Sequence, residues 1–496
     1  MLLQYGERTP MDLAQLKQRI RQAPQEDTAA LIAEVRDALD RHRRAAADPE
    51  SEYQLLWLLL PLARRSGKLP ELRPELERAL DLAGGRPDHV LALASLRAEL
   101  EVQEGRYRDA EATLRRTLEE AGDVGDERKG ALLLKLGRVL VHQERYSSAE
   151  TLLRDVLPVL EDGGHAALAA TGHFLLGNLA LRQGRYEAAA DLHRQALAVR
   201  QGLAGTAARS GDGHPVCASL SALGAVALAA GNYPEALHWL RQAEGEAQRS
   251  GELADLAYAE YGLGRALARL GDHAAAAGKL RSSQELRRQI GDREGQSLTQ
   301  LAVADNTLQL GQPRPALAEA QEAAFHLSLL SPSGIVGDAQ QLLGRIYLAQ
   351  RKDNEARRHF REAVALHRKH HDPTAVAFDN ACLLRLALEW PVREEVEPLV
   401  EAIAGFLETH PYPDMGERLD FALFHALDEL ASRGQTGGRI DARRDYLERA
   451  FGVLMRKTNF LDPELRHRFL FQVADNDAIL RAATEHGLTD SRLGPN

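Results

Sequence analysis

Phe174–Arg200 reads FLLGNLALRQGRYEAAADLHRQALAVR. Two segments of helical period flank Gly184-Arg185-Tyr186. Apolar residues recur ahead of the turn at Phe174, Leu175, Leu179 and Leu181, and the stretch after it repeats the pattern. Spacings of i, i+3, i+4 and i+7 predict an amphipathic helix on each side. The connection is short, so the two helices are expected to lie antiparallel. Gly184 supplies the positive φ that ends the first one.

The same turn recurs along the chain. Its forms are Gly105-Arg106-Tyr107, Glu144-Arg145-Tyr146, Gly231-Asn232-Tyr233, Gly271-Asp272-His273, Gly311-Gln312-Pro313 and Arg351-Lys352-Asp353. With Gly184-Arg185-Tyr186 included, third residues are spaced 39, 40, 47, 40, 40 and 40 apart. A period near 40 predicts a stack of helix pairs, each burying its apolar face against its neighbours. A Leu-Gly pair precedes each of five turns at one register: Leu136-Gly137, Leu176-Gly177, Leu223-Gly224, Leu263-Gly264 and Leu343-Gly344. Glycine inside a helix costs about 1 kcal/mol relative to alanine, so its repetition predicts close helix contact there. Ala110, Ala149, Ala189, Ala236, Ala276, Ala316 and Ala356, each three residues past its turn, predict the same for the second helices.

These positions resemble the tetratricopeptide repeat, together with a second alanine at Ala196, Ala243, Ala323 and Ala363. The unit length is similar to that of kinesin light chains and bacterial MalT-like regulators. The resemblance covers about residues 85–370, with His273, Pro313, Asp353 and Ala304 departing from it. An eighth, weaker unit is expected with its turn at Gly67-Lys68-Leu69. The implied fold is all-α: a right-handed superhelical solenoid of antiparallel helix pairs. Its expected organisation is an N-terminal helical cap at 1–50, the solenoid at 51–372, and C-terminal helical repeats or a cap at 373–496. Met11–Arg44 reads as two charged helices. Trp390-Pro391 and His410–Asp414 read as breaks between helices. The tail, with its Asp462-Pro463-Glu464-Leu465-Arg466 turn and Phe-Leu helix, resembles the last unit of repeat regions in bacterial ATPase-type regulators and cyclases. The longest spacing places an insertion in Gly202–Pro215, read as a surface loop or as a hinge of the groove.

Composition narrows the function. The 496 residues carry 62 basic and 72 acidic side chains, a net charge of −10, which disfavours nucleic acid or an anionic membrane as direct partner. Only eight of the basic residues are lysine, the skew of a GC-rich bacterial genome. The two cysteines, Cys217 and Cys382, fit a reducing cytosol better than a disulfide. Met1–Arg19 has no apolar signal region, and Leu55–Ala63 is too short to span a bilayer. A cytoplasmic protein is expected.

No phosphate-binding loop, HExxH, Gly-x-Ser-x-Gly, Cys-x-x-Cys or EF-hand occurs. Neither an enzyme nor a cofactor is expected. The densest titratable cluster is His359, Glu362, His367, His370, His371 and Asp372. His367 and His371 are four apart, which suits zinc on a helix face or a solvated helix C-terminus whose cations favour the dipole. Cys217, at a helix start, is either a stabilised thiolate or a buried small apolar residue.

In the tetratricopeptide repeat the residue after the mid-helix glycine points into the groove. Carried over, this gives Glu99, Arg138, Asn178, Ala225, Arg265, Asp305 and Arg345. Four residues further on lie Gln103, His142, Arg182, Ala229, Arg269, Gln309 and Ala349. Asn178 matches the asparagine of family members that clamp a carboxylate. Arg138, His142, Asn178, Arg182, Arg265, Arg269 and Arg345, with Tyr258 and Tyr261 for stacking, thus form the expected groove site. Arginine forks suit carboxylates, so the expected partner is a protein or peptide segment, acidic in character. The expected role is a scaffold or adaptor. The alternative is a sensory regulator that binds a peptide or small ligand and controls an ATPase or transcription regulator. Oligomeric state stays open.

Overall fold

The structure, a computed structural model, describes residues 13–22, 28–45, 48–65, 69–84, 86–120, 125–204, 215–330, 334–389, 393–410 and 412–489. The described residues hold α-helices, two 3-10 turns and no strand. The chain divides into two compact units, one reaching Gly172 and the other beginning at His173.

The first unit contains α1 (Leu13–Gln22), α2 (Thr28–Arg44), α3 (Pro49–Arg65), α4 (Arg73–Leu82), α5 (Pro87–Gln103), α6 (Tyr107–Glu120), α7 (Asp126–His142), α8 (Tyr146–Asp162) and the start of α9 (Ala166–Arg182). Both predicted N-terminal helices are present. Leu31, Ile32, Val35 and Leu39 of α2 join one core with Tyr53, Leu56, Leu59 and Leu60 of α3. Pro61 lies inside α3 without ending it. The pair α3 and α4 stands where the eighth unit was expected, although Gly67 and Lys68 lie outside the described residues.

The second unit contains the rest of α9, then α10 (Tyr186–Ala204), α11 (Pro215–Ala229), α12 (Tyr233–Ser250), α13 (Leu253–Arg269), α14 (His273–Ile290), α15 (Arg293–Gln309), α16 (Pro313–Leu330), α17 (Gly334–Ala349) and α18 (Asp353–Lys369). It continues through α19 (Pro373–Glu389), α20 (Arg393–Thr409), α21 (Gly416–Ser432), α22 (Arg443–Thr458), α23 (Pro463–Phe471) and α24 (Ala474–Glu485). Residues 205–214, 390–392 and Pro411 lie outside the described residues, and with them most of the predicted insertion and the Trp390-Pro391 break.

The turns close as their residues dictate. Gly105, Gly184, Gly231, Gly271 and Gly311 have φ of 71–81°, and their hydrogen bonds run back over the helix end, as in Asp272 N–H to Leu267 O at 2.9 Å. Asn232 and Asp272 also cap the following helices, accepting from Glu235 N–H and Ala275 N–H.

The mid-helix glycines answer to large side chains sixteen residues on. A Cβ on Gly137 would lie 2.7 Å from Leu153, on Gly177 2.7 Å from His193, on Gly264 2.6 Å from Leu280, and on Gly344 2.6 Å from Phe360. In the repeat where Ala304 replaces the glycine, position 320 is alanine, and both are fully buried in one cluster. All seven alanines that follow the turns are fully buried. Successive pairs are tied by side chains to turn carbonyls. Gln143 Nε2 donates to Tyr107 O at 3.0 Å, Asn306 Nδ2 to His273 O at 2.9 Å, and Gln350 Nε2 to Pro313 O at 3.1 Å.

The C-terminal helices do more than end the stack. In the second unit they return to the repeats that begin at Tyr233 and His273. Phe469, Leu470, Ile479 and Leu480 share a core with Tyr233, Leu237, Leu240 and Leu270. Arg468 pairs with Asp272. A Cβ on Gly271 would meet the Arg468 carbonyl at 2.8 Å, so this turn needs glycine for its φ and for that approach. The Asp462 carboxylate caps α23 by accepting from Leu465 N–H at 2.9 Å.

Candidate ligand-binding face

Five first helices pin a leucine and glycine against their partners, so the next residue, about 100° further round, turns away from that contact. In α13, Leu263, Gly264 and Ala266 are buried and Arg265 is exposed; in α7, Gly137 and Val139 are buried and Arg138 is exposed. The register inferred from the sequence thus gives a stripe of accessible side chains.

In the second unit this stripe gathers Arg182, Tyr258, Tyr261 and Arg265. Tyr258 is 50% exposed. Surrounding protein still pushes its hydroxyl pKa up, helped by Tyr261, while Arg265, Arg287 and Arg182 oppose the shift. Two guanidinium groups lie over the Tyr261 ring, Arg287 at 5.1 Å and Arg265 at 5.6 Å from its centroid. Arg287, from α14, was not legible as a member, because its register belongs to a second helix. Asn178 is half-buried and Arg182 exposed on α9. Among the described residues no carboxylate stands within ion-pair distance of Arg182 or Arg265.

The expected stripe is less basic than its arginines suggest. Arg345 pairs with Asp305 at 2.8 Å, and Arg269 stands 3.5 Å from Asp414. Asp305 and Arg345 hold one register in successive repeats, so the sequence already contained that pairing. The returning helices add Arg418 of α21 and Asp475 of α24, 2.9 Å apart. The Asp475 carboxyl is held below its ordinary value by Arg418, with Arg345 and Arg385 assisting. Arg385, exposed on α19, lies one 40-residue period beyond Arg345, and extending the period would have found it.

The first unit holds the other two expected residues. His142 stacks flat on Tyr107, ring centroids 5.1 Å apart, and Arg138 is exposed. Lys135 lies nearby, its pKa lowered by burial and opposed by Glu99 at 3.6 Å. Arg64 holds the same Glu99 at 3.0 Å.

Two chemical alternatives are corrected. His367 and His371 do not share a helix face: α18 ends at Lys369, His371 sits in a left-handed turn with φ 54°, and His367 points inward to Asp379 at 2.7 Å. Among the described residues no group of three His, Cys, Asp or Glu side chains could hold a metal. Cys217 is buried, its thiol donates to Ala243 O at 3.3 Å, and burial pushes its pKa up to about 12, so it is no thiolate. Both cysteines are free. No helix among the described residues is long and apolar enough to cross a membrane.

Three tetratricopeptide-repeat families match the chain, at residues 128–202, at 95–158, and at 216–243 with 336–374. No curated protein matches it. Among solved structures it is similar to a Rap protein complexed with Competence and Sporulation Factor, at 15% identity over 80% of this chain and 98% of that one, TM-score 0.47. It is similar to the Rap conjugation gene regulator of the plasmid pLS20 in complex with a Phr peptide, at 15% identity over 76% and 98%, TM-score 0.49. A signal-transduction ATPase of Pyrococcus horikoshii with a tetratricopeptide-repeat sensor is 13% identical over 77% of this chain and 56% of that one, TM-score 0.44. Matching families and the recurring glycine and alanine contacts agree: the chain carries tetratricopeptide repeats.

Proposed function

We propose that the protein is a non-catalytic scaffold or adaptor of the cytoplasm that binds an acidic peptide or protein segment along the exposed stripe of its first helices. In this reading residues 51–372 form the repeat solenoid that presents the binding helices, and residues 373–496 form the C-terminal helical repeats or cap. The supporting observation is the combination of Arg182 and Arg265, with no carboxylate partner among the described residues, beside the accessible rings of Tyr258 and Tyr261. Two forks that meet no carboxylate among the described residues, with aromatic surface beside them, are what a carboxylate-bearing chain needs: bidentate hydrogen bonds and stacking area. Asn178, on the same helix as Arg182, is positioned for the backbone of such a segment, and Arg138 extends the preference in the first unit.

The test is fluorescence anisotropy with a fluorescein-labelled octaglutamate peptide. The paired substitution Arg182→Glu and Arg265→Glu should weaken binding at least tenfold, and adding Arg138→Glu should weaken it further. Equal binding by the folded variants would overturn the reading.

A sensory regulator is the second reading. It is favoured by the return of the C-terminal helices to Arg269 of the same stripe. A sensor should change its radius of gyration on binding the peptide, measured by small-angle X-ray scattering, whereas a rigid scaffold should not.

A further inference from the structure

Asp414 sets a carboxylate of the chain itself against the stripe. It stands 3.5 Å from the Arg269 guanidinium and accepts a hydrogen bond from the Tyr233 hydroxyl at 2.9 Å. Lys457 Nζ lies 3.5 Å from it and donates at 3.0 Å to both oxygens of Glu417. The segment that carries it, Tyr412-Pro413-Asp414-Met415-Gly416-Glu417, is anchored at its other side by Tyr412, whose hydroxyl donates to Asp420 at 2.9 Å. Met415 holds it in a left-handed turn with φ 58°.

This arrangement has the chemistry of a bound acidic segment. A carboxylate meets an arginine of the stripe, and its negative charge also reaches Arg265 and Tyr186. The contact is also exchangeable. At 3.5 Å it is loose for an arginine–carboxylate pair. Arg269 is 25% and Asp414 15% exposed, so the looseness lies in the length of the contact and not in its exposure. If Arg269 turned to another carboxylate, Asp414 would keep the Tyr233 hydroxyl and Lys457, which it shares with Glu417, as its partners.

We propose that Asp414 is an internal competitor: it occupies Arg269 as a carboxylate of an acidic partner would, and a carboxylate-rich peptide displaces it and loosens α21 and α22 from the turn at Gly231. The proposal rests on the binding reading given above and adds its regulation. It makes the tightness of C-terminal docking report on occupancy of the stripe, because both use one guanidinium.

Asp414→Asn removes the charge and keeps an acceptor for Tyr233. In the octaglutamate titration this variant should bind roughly two- to fivefold tighter than the unsubstituted protein, the range of a weak ion pair. Hydrogen exchange of the unsubstituted protein should show that the peptide speeds exchange across Gly416–Thr458. Equal or weaker binding by Asp414→Asn overturns the competition. The binding reading then survives if Arg182→Glu with Arg265→Glu still weakens capture. No binding by any form overturns both. Should Asp414→Asn fail to fold, exchange in the unsubstituted protein decides: faster exchange with peptide supports the proposal, and unchanged or slower exchange overturns it.

Discussion

The Tyr233 hydroxyl donates to Asp414, 181 residues further along the chain, at 2.9 Å. Tyr233 is the third residue of a repeat turn, and its ring is fully buried against Phe469 at 5.6 Å between centroids. A residue of a local motif thus fastens a distant helix. A buried hydrogen bond to a charged group is worth about 1.5–3 kcal/mol. Tyr233→Phe keeps the ring packing and removes the bond. It should lower stability by about that amount, and hydrogen exchange should rise first across α21 and α22. An effect spread evenly over α11–α20 would show that Tyr233 acts only through its own repeat.

The glycines separate into two classes that one substitution distinguishes. Gly344→Ala would place a methyl group 2.6 Å from the Phe360 ring, and overpacking of this kind costs about 1–3 kcal/mol. At Gly245, inside α12, an added methyl group would meet nothing within 4 Å. Gly245→Ala should stabilise by about 0.5–1 kcal/mol, the helix preference alone. Thermal unfolding should therefore move down for one and up for the other. Two shifts of the same sign would refute the contact argument.

The contrast also marks what a single sequence displays. The turns, the glycines and the alanines were readable because each reflects a constraint within about 20 residues that recurs at every repeat. The exposure of Arg138, Arg182 and Arg265 follows from the same register. The return of α21–α24 was not. It depends on Tyr233 with Asp414 and Asp272 with Arg468, single contacts across long stretches of chain that no period announces. Neutralisation of Arg269 by Asp414 was hidden with it. Pairing of Arg345 with Asp305 was available in principle, since the two differ by one period.

Arg351 occupies a left-handed turn, φ 60°, where five other turns place glycine. A side chain in that conformation costs about 1–2 kcal/mol. Arg351→Gly should recover about 1 kcal/mol, the remainder being lost to the greater freedom of glycine when unfolded. Gly311→Arg, at φ 72° with open space around it, should cost a similar amount. Differential scanning calorimetry on both variants checks the pair. A stabilised Gly311→Arg would remove backbone strain as the reason for glycine here.

His367 and Asp379 form a buried ion pair, with side chains 1% and 0% exposed and Nδ1 2.7 Å from the carboxylate. Asp338 lies 3.4 Å from Nε2, and Gln341 donates to Asp379 at 2.6 Å. Burial alone would lower the histidine pKa. The hydrogen bond to Asp379 and the charges of Asp379 and Asp338 outweigh it and raise the value from 6.5 to about 10. A folded-state pKa above the unfolded one means that folding favours the protonated ring. The stabilisation is therefore complete below pH 6.5 and is lost as pH rises through about 10. His367→Gln cannot carry the charge and leaves Asp379 buried with Gln341 as its remaining partner. It should cost about 3–5 kcal/mol at pH 7 and should flatten the decline in stability between pH 7 and 10. Measured melting temperatures that fall in parallel for both proteins over that range would show that another group carries the pH dependence.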